Sequence, residues 1–181
     1  YSDKYIECGI GEQNMVGVAS GLSLEGWNVV ATTFSPFITL RCLEQLKVCV
    51  AYNYSSPKFV GLASGVVLGD LGFTHCSIED VAAVRTIPNL WIFTPADSAH
   101  LVKALPFLLD FDKPVYIRLT GGANSMPIYL EDFDFSLENP HILEQGEDFV
   151  LAGCGTGVAI ALEVRKILLS NGYNFGVINC H

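Results

Sequence analysis

The sequence predicts an α/β fold: a mostly parallel sheet sandwiched by helices, followed by the start of a second α/β domain. Two observations predict it. Short apolar runs alternate with segments of helical period, the pattern of strands whose crossovers cover both faces of a parallel sheet. Half of the residues are hydrophobic and only 16% are charged, which supplies a large core. That surplus also points to buried subunit interfaces.

Strands are expected near 5–8, 28–32, 58–63, 90–93 and 115–119. Between the first two, Met15, Val18, Ala19 and Leu22 recur at helical spacing. Leu40, Leu43, Leu46 and Val50 make a second stripe. Ile78, Val81, Ala82 and Arg85 make a third, and Leu101, Ala104, Leu105 and Leu108 a fourth. Pro95-Ala96-Asp97 reads as the start of that fourth helix, with Asp97 as its N-cap.

The pattern breaks over 120–147, where Gly, Pro, Asn and acids (Asp132, Asp134, Glu138, Glu144 and Glu147 among them) read as an interdomain connection. The expected layout is one domain over 1–135, a linker over 136–147 and the beginning of a second domain over 148–181. In the last stretch, 149–152, 158–169 and 175–178 read as strand, helix and strand. One such unit is too little to bury its own faces, and no partner strand precedes the first one. Both ends are therefore expected to belong to something larger.

A net charge of −9 argues against nucleic acid and anionic membrane as partners. Gly, Lys, Asp and Pro interrupt every apolar run before it reaches the length of a membrane span. The opening Tyr1-Ser2-Asp3-Lys4 carries no leader-like pattern. The six cysteines (8, 42, 49, 76, 154 and 180) include no Cys-x-x-Cys pair, and they read as reduced core thiols. A cytoplasmic protein is expected.

Residues able to carry chemistry stand at the ends of expected strands, where open α/β sheets bind ligands. Glu12 follows the first strand, in Gly9-Ile10-Gly11-Glu12-Gln13. Phe34-Ser35-Pro36-Phe37 follows the second. A Gly-rich loop holding Gly69-Asp70-Leu71-Gly72-Phe73-Thr74-His75 follows the third. Taken one at a time, each has a plain reading. Glu12 is a first-turn acid favoured by the helix dipole, Phe34 and Phe37 are core aromatics, and His75 is a structural hydrogen bonder. Gly153-Cys154-Gly155-Thr156-Gly157 mimics a dinucleotide loop. Val158 stands where its third glycine belongs and no acid ends the next strand, so a nucleotide site is not expected.

Taken together the pieces resemble the pyrimidine-binding domain of transketolase-type thiamine diphosphate enzymes. The matching stretches are Tyr5 through Met15, then Thr33 through Phe37 with Arg41 and Glu44-Gln45. Gly72-Phe73-Thr74-His75, Ile78-Glu79-Asp80, Arg85 through Asn89, Pro95-Ala96-Asp97 and Pro114 through Leu119 continue the match. Residues 148–181 resemble the start of the family's C-terminal domain. The details are most like the C-terminal subunit of split, two-chain transketolases, whose pyrimidine domain begins some tens of residues before the position of Tyr1.

The resemblance implies a role for each matching residue. Glu12 would hydrogen-bond N1′ of the aminopyrimidine, so that the 4′-amino group can remove the thiazolium C2 proton. Burial would raise the pKa of that carboxyl. Phe37, with Phe34, would wall the pyrimidine ring. His75 would relay a proton or bond a substrate hydroxyl, and Asp70 and Arg41 are further substrate candidates. An N-terminal transketolase subunit would hold the diphosphate and Mg2+, with a heterotetramer as the expected assembly. Gly69-Asp70 begins like the family's metal-binding Gly-Asp-Gly, but Leu71 breaks it, so no metal is expected on this chain.

Three departures concern the substrate. Leu71 stands where the family loop carries an aspartate, Ala63 where a histidine is frequent, and Thr120-Gly121-Gly122 where a second arginine helps hold a sugar phosphate. The expectation is two-carbon ketol transfer between sugars with a non-standard substrate pocket. The alternatives are the β subunit of a 2-oxoacid dehydrogenase, a deoxyxylulose-phosphate synthase-like enzyme, or a non-catalytic scaffold subunit.

Overall fold

The computed structural model describes residues 2–121 and 126–181. Gly122, part of the departure at 120–122, lies outside them. The chain divides into two compact units, Tyr1–Ile92 with Phe111–Ile117 and Phe93–Asp110 with Arg118–His181.

In the first unit, α1 (Glu12–Leu24) presents Glu12, Val16, Ala19 and Ser20 inward. This stripe is rotated from the one expected, since Val18 and Leu22 are only half-buried. The rotation follows from Ser20, whose hydroxyl donates to the Cys49 carbonyl at 2.6 Å and meets Ser55 Oγ at 2.8 Å. It sets Glu12 on the protein side of the helix. Gly26, at φ +86°, ends α1. There the Gly26 amide donates to Ser23 and the Trp27 amide to Leu22, a Schellman closure that needs a left-handed residue.

The elements that follow in the chain are β1 (Val30–Phe34), α2 (Ser35–Ile38), α3 (Leu43–Gln45) running into a π-helical stretch (Leu46–Ala51), β2 (Lys58–Leu62), α4 (Asp80–Val84), β3 (Trp91–Phe93), α5 (Ser98–Asp110, which belongs to the second unit) and β4 (Val115–Arg118). The four strands form a parallel sheet in the order β1-β2-β4-β3, flanked by helices. Val30 to Phe34 register with Lys58 to Leu62. The core gathers Val16, Ile38, Leu46, Val50, Phe59 and Val84.

One expected strand is absent among the described residues. Residues 5–8 form no ladder, Tyr5 and Ile6 are exposed, and Gly9 turns the chain at φ +60°. An apolar run reads as a strand from sequence, yet a strand needs a neighbour to pair its amides, and none lies beside this one. Glu12 is therefore presented by an irregular turn. The expected core thiols also need correction. All six cysteines are free, but only Cys42 is buried, while Cys154 in a Gly-rich turn and Cys180 beyond the last strand are exposed.

In the second unit, Asp97 caps α5 as expected, Oδ1 accepting the His100 amide at 2.8 Å. Its Oδ2 also accepts the Ile128 and Tyr129 amides, fastening the chain after β4 to the start of that helix. A three-stranded sheet is ordered β5-β7-β6, from β5 (His141–Glu144), β6 (Val150–Gly153) and β7 (Gly176–Asn179). α6 (Thr156–Ser170) packs on β6 and β7. β6 and β7 are parallel, the expected strand–helix–strand. β5 is antiparallel to β7 with a bulge between Ile142 and Glu144. It lies inside the stretch read as a linker, because acids and Pro140 outweighed a four-residue run whose Leu143 packs with Tyr129 and Val158.

Candidate active site

Glu12 opens α1 directly after Gly11, which offers no side-chain cap. Glu12 as a whole is only 8% exposed. Arg41, on the segment leaving α2, donates from Nη1 to Glu12 Oε2 at 2.9 Å. The same guanidinium lies 4.0 Å from the centre of the Phe37 ring, well within cation–π range. Gln13 Nε2 donates to the Arg41 carbonyl at 3.1 Å, tying the two segments a second time.

Phe34 is the last residue of β1, and Phe37 follows within α2, whose Pro36 suits a helix start. Their rings are 6.0 Å apart, edge to face. His75 completes a triangle, 5.3 Å from Phe37 and 6.0 Å from Phe34. Its Nδ1 meets Thr74 Oγ1 at 3.0 Å.

A buried polar cluster beneath α2 places these rings. Tyr116 Oη donates to Asp80 Oδ2 at 2.8 Å, and Ser35 Oγ reaches the same oxygen and Ser77 Oγ. Ser77 and Gly65 exchange both backbone hydrogen bonds at 2.8 Å, closing the loop that carries His75. Ser35 heads the helix with Phe37 and Ser77 clasps the loop with His75, so their bond holds loop and helix together. Gly61 makes room for this. A Cβ there would stand 2.6 Å from Tyr116 Cε2. Ala63, at the entry to the loop, adopts φ 54°, a region costly for a residue with a Cβ.

The structure thus brings Glu12, Arg41, Phe34, Phe37 and His75 into one group. Asp70 is separate. It is exposed in a 3-10 turn, Gly69–Leu71, and makes no hydrogen bond or ion pair among the described residues. Arg41, expected as a substrate residue, pairs with Glu12, and its side chain is 42% exposed. Sequence reasoning overlooked Gln13, Ser35 and Tyr116. The one available signal was Gly61 inside an apolar strand, which marks a close approach of another group.

Burial pushes the Glu12 carboxyl up, but the hydrogen bond from Arg41, its own backbone amide and the guanidinium charge outweigh it and hold the carboxyl below its usual range. This reverses the expected direction, because the cation beside Glu12 lies outside the turn motif that suggested a dry pocket. Neighbouring Cys42 is pushed up to about 12, by burial first and the Glu12 charge second. No trio of His, Cys, Asp or Glu is placed to hold a metal ion among the described residues.

Residues 1–124 match the family described as transketolase, pyrimidine binding domain. The chain belongs to this family. It is 34% identical over 176 residues to an apulose-4-phosphate transketolase subunit of Phocaeicola vulgatus, covering 97% of this chain and 56% of that protein. It is 36% identical to a 6-deoxy-6-sulfo-D-fructose transketolase subunit of Clostridium sp., covering 97% and 54%. A solved split-gene transketolase, described as an inactive beta4 tetramer, superposes with a TM-score of 0.88 at 31% identity, over 99% of this chain and 57% of that one. The chain spans a little over half the length of these relatives. No helix among the described residues is long and apolar enough to cross a membrane.

Proposed function

We propose that this chain is the pyrimidine-binding subunit of a two-chain, thiamine diphosphate-dependent transketolase that transfers a two-carbon ketol unit between sugar-derived substrates. The observation that carries this reading is the placement of Glu12, a buried acid joined through Arg41 to Phe37, one of a trio of aromatic rings. That donor set fits the pyrimidine end of the cofactor. A flat heteroaromatic ring needs apolar walls, and its ring nitrogen needs one well-placed acidic or anionic partner. When bound, the cofactor supplies the electron sink for cleaving the bond beside a ketose carbonyl.

Each residue of the chain then has a definite task. Glu12 holds the proton at N1′. Phe37 and Phe34 wall the ring and exclude water from the carboxylate. His75, its Nδ1 paired with Thr74, offers its other ring nitrogen to a substrate hydroxyl or a proton in transit. The diphosphate and Mg2+ belong to an N-terminal transketolase subunit, in a heterotetramer.

Three facts support the partner. The relatives are named as subunits, the split-gene neighbour formed of one kind of chain is described as inactive, and the segments around Glu12 and His75 carry exposed Ile10, Leu71 and Phe73. Apolar side chains so displayed mark an interaction surface. Leu71 in place of the family's aspartate, and relatives named for apulose 4-phosphate and a sulfofructose, support a donor or acceptor other than the common phosphosugars. Six free thiols suit a cytoplasmic setting.

The test is reconstitution of the full-length subunit with its partner, thiamine diphosphate and Mg2+, followed by product analysis over a panel of ketose donors. Two-carbon transfer is expected only with both chains present. Comparable turnover of xylulose 5-phosphate with ribose 5-phosphate contradicts the unusual pocket. Pyruvate decarboxylation in place of ketol transfer contradicts the reaction.

A further inference from the structure

We propose that Arg41 is a positioning residue: laid against the Phe37 ring, its guanidinium grips one oxygen of Glu12 and fixes the carboxylate in a single orientation toward the pyrimidine. The inference rests on the reading of Glu12 given above and adds a residue to it.

Four contacts make this a built arrangement. The Arg41–Glu12 bond is 2.9 Å, in the range of charge-assisted bonds. The guanidinium carbon lies 4.0 Å from the centre of the Phe37 ring. The Arg41 carbonyl is held by Gln13 Nε2 at 3.1 Å, and the Arg41 amide by the Pro36 carbonyl at 3.2 Å. Backbone and side chain are thus each tied to both α1 and α2. Arginine offers the ring a planar cation and Glu12 a fixed fork of donors, which lysine does not.

The arrangement also sets the charge of Glu12. The influences on it are Arg41, its own amide and burial, and the Cys42 thiol feels its charge in turn. His75 faces the far side of the group through Phe37 and makes no bond to Glu12. With Arg41 in place, Glu12 stays an anion to lower pH and is held ready to accept a hydrogen bond from a proton kept at N1′.

The variants Arg41→Met and Arg41→Lys, in the full-length subunit and its reconstituted complex, test the idea. The first readout needs no cofactor: the Glu12 carboxyl pKa, followed by carbon-13 NMR. Arg41→Met should raise it by about one unit or more, as loss of an adjacent arginine does. Arg41→Lys should leave it near wild type. The second readout is thiamine diphosphate affinity at neutral pH, expected to fall roughly 10-fold in Arg41→Met and less in Arg41→Lys. The acid limb of the activity profile should move up with the pKa.

A substrate-binding arginine gives the contrary pattern, a raised KM with Glu12 pKa and cofactor affinity unmoved, and that result overturns the proposal. Glu12→Gln separates the two levels. If it abolishes cofactor activation while Arg41→Met changes neither pKa nor affinity, only the role of Arg41 fails. If Glu12→Gln is itself without effect, both fail.

Discussion

Substituting Gly61 by Ala should destabilise the first unit and loosen the site together. The added Cβ would stand 2.6 Å from Tyr116 Cε2 and 2.7 Å from its Oη. The ring cannot withdraw freely, since Tyr116 is 1% exposed and its hydroxyl donates to Asp80 at 2.8 Å. Overpacking of this kind costs about 1–3 kcal/mol. If the ring moves far enough to lose its bond to Asp80, the lost hydrogen bond adds about 1–3 kcal/mol more, with Ser35 still donating to the same oxygen. The expected loss is therefore roughly 1–3 kcal/mol if the bond survives and roughly 2–6 kcal/mol if it does not, a large share of the ~5–15 kcal/mol typical of a domain. Urea unfolding of the full-length subunit measures it, with an unchanged m value showing that the two-state analysis holds. A double-mutant cycle isolates the cause. In a Tyr116→Ala background the same substitution meets no ring and should cost about 1 kcal/mol or less. A wild-type-background cost under about 0.5 kcal/mol, or equal costs in both backgrounds, would refute the packing argument.

Two further outcomes follow from the second unit. Asp97→Ala should cost about 2–4 kcal/mol, because it removes the cap of α5 and strands the Ile128 and Tyr129 amides; Asp97→Asn, which keeps the cap oxygen, should cost less in the same unfolding assay. His100 is fully buried and its pKa is pushed down to about 4, by burial first and the nearby His181 second. The unfolded chain takes up that proton near its ordinary value and the folded chain does not, so stability is intact above about pH 6.5 and falls by up to ~3 kcal/mol as pH drops toward 4. His100→Gln should flatten that slope in a pH series of thermal unfolding; a slope that persists in full assigns it to other groups.

Much of the architecture was legible in local pattern. Strand–helix alternation found the four sheet strands, and Asp97 after Pro95 marked the start of α5, because those signals are carried by neighbouring residues. The strand expected at 5–8 failed because apolar character does not by itself supply a pairing edge. β5 was overlooked because a four-residue strand among acids has no periodicity to show. The site divided along the same line. Glu12, Phe34, Phe37 and His75 could be named from motif positions, but their convergence depends on Ser35, Ser77 and Tyr116, which meet across 42 to 81 residues of chain. Arg41 was visible as a residue and not as a contact, since nothing in its own segment shows that it faces Glu12. That contact also reverses the expected direction of the Glu12 pKa.

The most direct test of the account is Glu12→Gln in the reconstituted two-chain enzyme, reading exchange of the thiazolium C2 proton for deuterium by proton NMR. That exchange reports cofactor activation without requiring the sugar to be known. Assembly and cofactor retention should stay near wild type, with exchange slowed on the order of 10²–10⁴-fold, the usual contribution of a positioned acid–base group. Exchange at the wild-type rate, with the cofactor still bound, would contradict it.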